Sequence, residues 1–385
     1  MSSAAADAAS PARPAAERAR TPRVAVVGAT GAVGEEFLRV LEERRFPMAS
    51  LKLLASERSA GRSLDFAGRP HRVEVLDERA FADVDLALFS AGGSVSRAFA
   101  PAAVAAGAVV VDNSSAYRMT DGVPLVVPEV NPGAIDAAGV GLRDGFEPGI
   151  IANPNCSTII MLVALHPLHR FAGIERIVVS TYQAASGAGA AAMRELEQQT
   201  REALAGPGGM GEVTSNEVFG RTYAFNLFSH NSPVQPGGYN EEELKMVHET
   251  HKIWGQDAAP GSGAPPERTQ TRVTATCVRV PVMRAHAESI NVTFRDTLDE
   301  EKARDLLAKA PGVSLQDDRG ANAFPTPLQA SGKDDVFVGR IRRDLSQPAG
   351  RGLDLFVCGD QVRKGAALNA VQIAELLLER RAEGR

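Results

Sequence analysis

The chain has 385 residues, 44% of them hydrophobic and 23% charged, and carries a net charge of −5. That length exceeds what one hydrophobic core usually holds, so two domains are expected. The acidic balance, with a pI of about 5.9, leaves no electrostatic footprint for nucleic acid or an anionic membrane as a partner, and no apolar run approaches the roughly 20 residues that span a bilayer.

Residues 1–22 contain nine alanines together with Pro, Ser and Arg, and no apolar h-region. They read as a disordered tail, not a secretory signal. Arg, Ser and Ala would also suit an organelle transit peptide, but Asp7 and Glu17 count against one. The three cysteines, Cys156, Cys277 and Cys358, are too few and too scattered for a disulfide framework or a zinc ribbon. That usage fits a reducing cytoplasm.

Arg23 to Val27 is a short β-branched run that feeds Gly28-Ala-Thr30-Gly31-Ala32-Val33-Gly34, and Glu35 to Arg45 has helical amphipathicity. Leu51–Ala55, Asp85–Ser90 and Ala108–Asp112 read as further strands, with a helix over Ser94–Ala106. Strands alternating with helices predict a Rossmann-like, doubly wound parallel sheet with ligands at the carboxyl ends of its strands. The glycines have GxxGxxG spacing, weaker alone than GxGxxG, but they close a strand and open a helix, as a dinucleotide phosphate site requires. Gly28, Thr30, Gly31, Ala32, Val33 and Gly34 are therefore candidate cofactor residues. Where NAD-binding folds place an acid on the ribose 2′-hydroxyl, this chain has Ser56-Glu57-Arg58-Ser59. Arg58 between Ser56 and Ser59 suits a 2′-phosphate, which favours NADP. Glu57 favours the blander reading of a solvated arginine.

Beyond residue 150 the texture changes. Ile151-Ala-Asn-Pro-Asn155-Cys156-Ser-Thr158 puts a cysteine at the mouth of an apolar helix, Thr158–Leu168. Unpaired N–H groups and the helix dipole there favour negative charge, so the thiol is expected to have a lowered pKa and to act as a nucleophile. Ile174–Tyr182, Thr271–Val280, Ser289–Phe294, Val336–Arg342 and Leu353–Cys358 read as strands. Ala190–Leu204, Asn240–Ile253 and Glu300–Lys309 read as helices. This predicts an α+β domain with a mostly antiparallel sheet, over residues 156–362. The NADP-binding domain then covers 23–155, and a last helix, Lys364–Arg380, returns to it, so residues 363–385 belong there as well. Gly255–Glu267 reads as an exposed loop.

The other chemistry-bearing residues divide simply. Cys277 and Cys358 lie in strand-like runs and read as core. His248 and His251 share a helix face without a third metal ligand nearby, so a solvated face is expected and no metal. His166 and His169 end a helix, where its dipole suits them. His286 lies after Arg279 at a bend between two strand-like runs, and one turn can present both to the same cleft.

Asn155-Cys156-Ser-Thr, Tyr182-Gln183-Ala-Ala-Ser186-Gly187-Ala-Gly, Asn240-Glu-Glu242-Glu-Leu-Lys245, Arg279…His286 and Gly359-Asp-Gln-Val-Arg-Lys-Gly-Ala-Ala-Leu-Asn369 occur in that order. Together, from about Arg23 to the C-terminal helix, they closely resemble bacterial-type aspartate-β-semialdehyde dehydrogenase. The resemblance implies Cys156 as nucleophile, His286 as acid/base and Gln183 as a residue orienting substrate. It implies that Arg279 holds the substrate carboxylate and Glu242 its ammonium, and that Arg118 and Lys245 bind phosphate while Asn155 helps to position phosphate or acyl group. It also implies Ser186, Gly187 and Asn369 at the cofactor. The expected reaction is reductive dephosphorylation of L-4-aspartyl phosphate by NADPH through a cysteine thioester, feeding lysine, methionine and threonine synthesis. A homodimer or homotetramer with inorganic phosphate and a small molecule as partners is expected. Two alternatives remain: an N-acetyl-γ-glutamyl-phosphate reductase, for whose uncharged amide Glu242 is a poor fit, and a non-enzymatic NADP-binding regulator.

Overall fold

The computed structural model describes residues 21–383 apart from 143–144, 210 and 257–269. The tail before residue 21 and most of the expected loop Gly255–Glu267 lie outside the described residues.

Strands β1 (Arg23–Val27), β2 (Ser50–Ala55), β3 (Ser63–Phe66), β4 (Arg69–Val75), β5 (Leu86–Phe89), β6 (Val109–Asp112) and β7 (Ile150–Ala152) form one sheet in the order β3-β4-β2-β1-β5-β6-β7. Every pairing in it is parallel except β3 with β4. The central strands are buried on both faces, which is why they read as continuous apolar runs. The hairpin β3–β4 escaped the sequence reading because it is a polar, largely exposed edge. β7 escaped because it is only three residues long. Helices α1 (Ala32–Glu43) and α2 (Gly93–Ala105) follow β1 and β5.

α3 (Cys156–Ala172) leads into the second half. There β8 (Ile174–Gln183), β9 (Phe228–Ser229), β10 (Arg272–Arg279), β11 (His286–Phe294), β12 (Val313–Leu315), β13 (Val336–Arg343) and β14 (Gly352–Gly359) form a sheet ordered β12-β13-β14-β11-β8-β10-β9. Most pairings are antiparallel, but β8 with β10 and β12 with β13 are parallel. The parallel pair matters for the site: β8 and β10 end side by side at Gln183 and Arg279, where antiparallel β11 begins. α4 (Ala190–Ala205), α5 (Glu241–Ile253) and α6 (Glu300–Leu307) connect these strands. α3 is longer than the sequence suggested. It starts at Cys156 itself and runs past Pro167 to Ala172. Its apolar face packs with Ile177, Val179, Ile290, Val292 and Leu355 of the sheet.

The chain ends in a π-helical turn, Arg363–Ala367, and α7 (Leu368–Glu383). Val371, Ile373 and Leu377 pack with Val24, Phe37, Leu41 and Val109, so this helix does return to the first sheet. Among the described residues, no helix is long and apolar enough to cross a membrane.

The turn between β1 and α1 is set by contact distance. Gly28 has φ +83°, and a Cβ on it would lie 2.5 Å from the Ser90 carbonyl oxygen. A Cβ on Gly34 would lie 2.2 Å from the Gly28 oxygen. Gly34→Ala should therefore push α1 off β1, costing about 1–3 kcal/mol by overpacking and weakening cofactor binding. Urea unfolding and a cofactor titration check this, and unchanged values in both would contradict the close approach.

Candidate active site

Cys156 is the first residue of α3, and Asn155 is its N-cap. The Asn155 side-chain oxygen accepts from Ser157 N at 3.0 Å and Thr158 N at 3.2 Å, so two of the helix's orphan donors are satisfied. Asn155 is itself gripped from α5. Its Nδ2 donates to Glu242 Oε1 at 2.8 Å, and its backbone N–H donates to Glu249 Oε2 at 2.6 Å.

The ends of three strands surround this turn. Gln183 closes β8, Arg279 closes β10 in register with it, and His286 opens β11. Gln183 Nε2 donates to Ser157 Oγ at 3.2 Å and to Glu242 Oε1 at 3.3 Å. Arg279 Nη1 reaches the Ala184 carbonyl at 3.3 Å and Gln183 Oε1 at 3.5 Å, while its Nε donates to Asn231 at 3.2 Å. His286 is not at a bend, as its sequence context suggested, but is the first strand residue and is fully buried. Its Nδ1 accepts the Ala184 N–H at 3.0 Å. The neutral ring must then carry its hydrogen on Nε2, a buried nitrogen without a protein partner. Gly187 adjoins both groups, since a Cβ there would lie 3.0 Å from Arg279 Nη1 and from His286 Cε1.

Electrostatics corrects one expectation. The Cys156 thiol is not lowered but pushed up to about 12. Burial is the main cause and the Glu242 carboxylate adds to it, outweighing Arg118, Arg279 and the Ser157 N–H, which all favour thiolate. The helix end acts in the expected direction but is overruled by desolvation. Burial also opposes ionisation of Glu242, yet Lys245, His230 and Asn155 hold it down at about 2. Burial, followed by the Arg279 charge, lowers His286 to about 3, so its ring is neutral near pH 7. His169 is likewise no dipole-stabilised cation. Burial lowers it to about 4, its Nδ1 accepts the Ile174 N–H at 3.1 Å, and its ring stacks on Trp254 at 4.0 Å.

The two expected phosphate cations approach from different segments. Arg118 is buried and held by three protein acceptors: Asn153 O at 2.9 Å, Glu249 Oε1 at 3.0 Å and Asn113 O at 3.1 Å. Lys245 donates to Glu242 Oε2 at 3.0 Å and stays partly exposed. Lys245 and Glu249 lie one turn apart on the same face of α5, so both cations border that face.

For the cofactor, Gly31 caps α1 without a side chain, leaving the first-turn N–H groups of Ala32, Val33 and Gly34 without a side-chain acceptor. With Gly28 and Thr30 they make up the close-packed turn between β1 and α1, and N–H groups free of a side-chain cap at a helix start fit a dinucleotide phosphate. Ser56 and Arg58 are exposed beyond β2, with Ser59 half-buried. Ser186 is buried and accepts a hydrogen bond from Gln361 Nε2, and Gln361 Oε1 accepts the Ala285 N–H at 3.0 Å. Asn369 is fully buried, and its amide is already engaged by Val126 O, Asn153 Oδ1 and Lys364 Nζ. Both of its N–H groups are thus committed to protein, while Oδ1 keeps a second lone pair for a further donor. His248 is exposed on α5, and His251 bonds Thr271 O at 2.8 Å. The sequence reading missed Glu249 and Gln361. The one available signal for Glu249 was its position two turns after Glu242 on the same helix face.

A parallel dinucleotide-type sheet joined to a mixed sheet whose strand ends surround a cysteine helix matches the architecture of the semialdehyde dehydrogenase family. The profile of that family's NAD binding domain matches residues 23–138, and that of its dimerisation domain matches residues 165–364. Aspartate-semialdehyde dehydrogenase of Synechocystis sp. is 53% identical over 348 residues, covering 90% of this chain and 95% of the relative. That of Aquifex aeolicus is 48% identical over 349 residues, with 90% and 95% coverage. The crystal structure of Vibrio cholerae aspartate semialdehyde dehydrogenase II complexed with ASA superposes with a TM-score of 0.83 at 46% identity, covering 94% of this chain and 99% of that one. The Candida albicans enzyme with NADP gives 0.70 at 26% identity, with 93% and 99% coverage. The chain belongs to the aspartate-semialdehyde dehydrogenase family.

The lowered pKa of His286 has a consequence for stability. Between its ordinary value of 6.5 and its folded value of about 3, the unfolded chain binds a proton that the folded chain refuses. Its contribution is therefore fully present above pH 6.5 and is lost as pH falls toward 3. Glu288, whose carboxyl burial pushes well above the usual range, shifts the balance the opposite way. The clean measurement is thus the stability difference between wild type and His286→Gln, followed by urea unfolding. That difference should move against the wild type from pH 7 to pH 4.5, and a constant difference would refute the shift.

Proposed function

We propose that the chain converts L-4-aspartyl phosphate to L-aspartate 4-semialdehyde through a thioester on Cys156, with NADP as the cofactor. The observation that carries this reading is the meeting of Gln183, Arg279 and His286 around the Cys156 turn, with Arg118 and Lys245 along one face of α5 beside it.

Arg279 offers a buried guanidinium to the substrate's α-carboxylate, a pairing suited to bidentate contact. Glu242, held ionised at about 2, offers a carboxylate to the α-ammonium. An acylated amine would leave that charge unmatched, which supports the aspartyl substrate over an N-acetylglutamyl one. The same pairing helps the nucleophile. Glu242 raises the Cys156 pKa, so an ammonium that neutralises Glu242 weakens this opposition, and Arg118 and Arg279 then favour thiolate. As Cys156 Sγ bonds the acyl carbon, the carbon–oxygen bond to phosphate breaks, and the phosphate carries off the thiol's proton as hydrogen phosphate and leaves toward Arg118 and Lys245. His286 Nε2–H points a donor at the site and supports the developing oxyanion. Its Nδ1 is occupied by the Ala184 N–H, so the ring acts from Nε2 as donor. The reduced nicotinamide, held by the Gly28–Gly34 turn, would supply the hydride.

Arg58 supports NADP over NAD, as does the NADP complex of the Candida albicans relative. Residues 23–155 with the returning C-terminal helix form the cofactor unit in this reading, and residues 156–362 the catalytic unit. The match to a dimerisation domain supports a homodimer or dimer of dimers built on the second sheet. Three cysteines free of disulfides suit the cytoplasm.

Cys156→Ser should lower turnover by on the order of 10³-fold or more while leaving cofactor binding intact. Activity within about tenfold of wild type would end the covalent reading. Arg58→Ala should weaken NADP binding by about 1.5–3 kcal/mol, the worth of a hydrogen bond to a charged group, with NAD affinity unchanged in parallel titrations. Equal losses for the two cofactors would remove the 2′-phosphate assignment.

A further inference from the structure

Glu249 has no place in the reaction as derived above, yet it is nearly inaccessible, at 1% exposure. It lies on α5, and each of its carboxylate oxygens serves a different part of the site. Oε2 accepts the backbone N–H of Asn155 at 2.6 Å, one residue before the nucleophile. Oε1 accepts from Arg118 Nη1 at 3.0 Å.

Arg118 shows what this contact achieves. A guanidinium has five N–H donors in a rigid plane. Nε is fixed on Asn153 O, one Nη2 hydrogen on Asn113 O and one Nη1 hydrogen on Glu249. One N–H on each terminal nitrogen remains for a phosphate oxygen. Of the three anchors, two are backbone carbonyls, and Glu249 is the one side chain. The second contact sets the nucleophile. Glu249 holds the Asn155 backbone and Glu242 holds the Asn155 side chain, so the N-cap of α3 is clamped between two carboxylates of α5.

We propose that Glu249 is a positioning residue that aims Arg118 at the leaving phosphate and at the same time fixes the turn presenting Cys156, so that phosphate recognition and nucleophile placement share one carboxylate. This rests on the reading of Arg118 as a phosphate ligand. Glu249 acts through its two partners and touches no reacting atom.

The test uses the full-length enzyme in the phosphate-consuming direction, with inorganic phosphate varied against aspartate semialdehyde. Glu249→Gln keeps the shape and removes the charge. It should raise the KM for phosphate by about ten- to a hundredfold, the loss expected when a charge-assisted contact is weakened, with a much smaller change in the KM for semialdehyde. It should also speed alkylation of Cys156 by iodoacetamide when phosphate is absent, because a looser turn exposes the buried thiol and a less neutralised Arg118 favours thiolate, and an unchanged rate would overturn the claim that Glu249 fixes this turn. In the double variant with Arg118→Ala, Glu249→Gln should add nothing further to the phosphate KM, since its effect there passes through Arg118.

If Glu249→Gln lacks a cooperative thermal transition, Glu249→Asp retains the charge on a stem too short to reach both partners and should show the same phosphate effect. A residue that only supports the fold would lower the melting temperature and turnover without favouring either substrate's KM, and its effects would add to those of Arg118→Ala. Either result overturns the proposal. If Arg118→Ala itself leaves the phosphate KM unchanged, the phosphate site is wrong. If Arg118→Ala raises it and neither Glu249 variant does, the site stands and the role of Glu249 falls.

Discussion

The active site hangs on the two-sided grip on Asn155. The residue caps α3 with its side-chain oxygen, and Glu242 and Glu249 hold its amide nitrogen and its backbone N–H. α3 belongs to the core of the second half, α5 crosses beside it, and the next residue along the chain is Cys156. The nucleophile is thus placed by contacts that also fix the helix start. Few rotatable bonds separate the thiol from this clamp, and a reacting thiol needs that rigidity.

Around the clamp lies an unusual density of buried charge. Arg118, Arg279, Glu242 and Glu249 are all below 9% exposure. Isolated, each would be costly to desolvate; paired and hydrogen-bonded, they persist. Their arrangement favours the protonated thiol, because burial and Glu242 outweigh the two arginines. His286 is kept neutral by the same forces, and the Ala184 N–H selects its tautomer.

The architecture explains why these groups meet. A parallel β8–β10 pair brings Gln183 and Arg279 to one sheet end, and antiparallel β11 starts there with His286. The π-helical turn behind them carries Lys364, a fully buried lysine bound to Glu129 and Asn369. Asn369 passes this order on to Asn153, whose carbonyl anchors Arg118. The C-terminal segment therefore braces the Arg118 side of the site from the far end of the chain.

Much of this was legible from residue order. The Gly28–Gly34 turn, the strands feeding it, the cysteine at a helix mouth and the runs that became β8, β10, β11, β13 and β14 follow from local periodicity and from glycine sterics, which act over a few neighbouring residues. Ordered motifs also named Gln183, Glu242, Arg279 and His286. What tertiary structure decided is non-local. The pKa of Cys156 depends on how completely other segments enclose it, and burial reversed the sign expected from the helix end alone. The edge hairpin β3–β4 exists only because β2 offers it a partner. Asn369 and Glu249 have the same polar character in sequence, but packing committed both N–H groups of the Asn369 amide to protein and placed Glu249 between the Cys156 turn and an arginine more than a hundred residues away in the chain. Local sequence sets which backbone shapes and chemistries are available, while desolvation and pairing between distant segments set the charge and aim of each group.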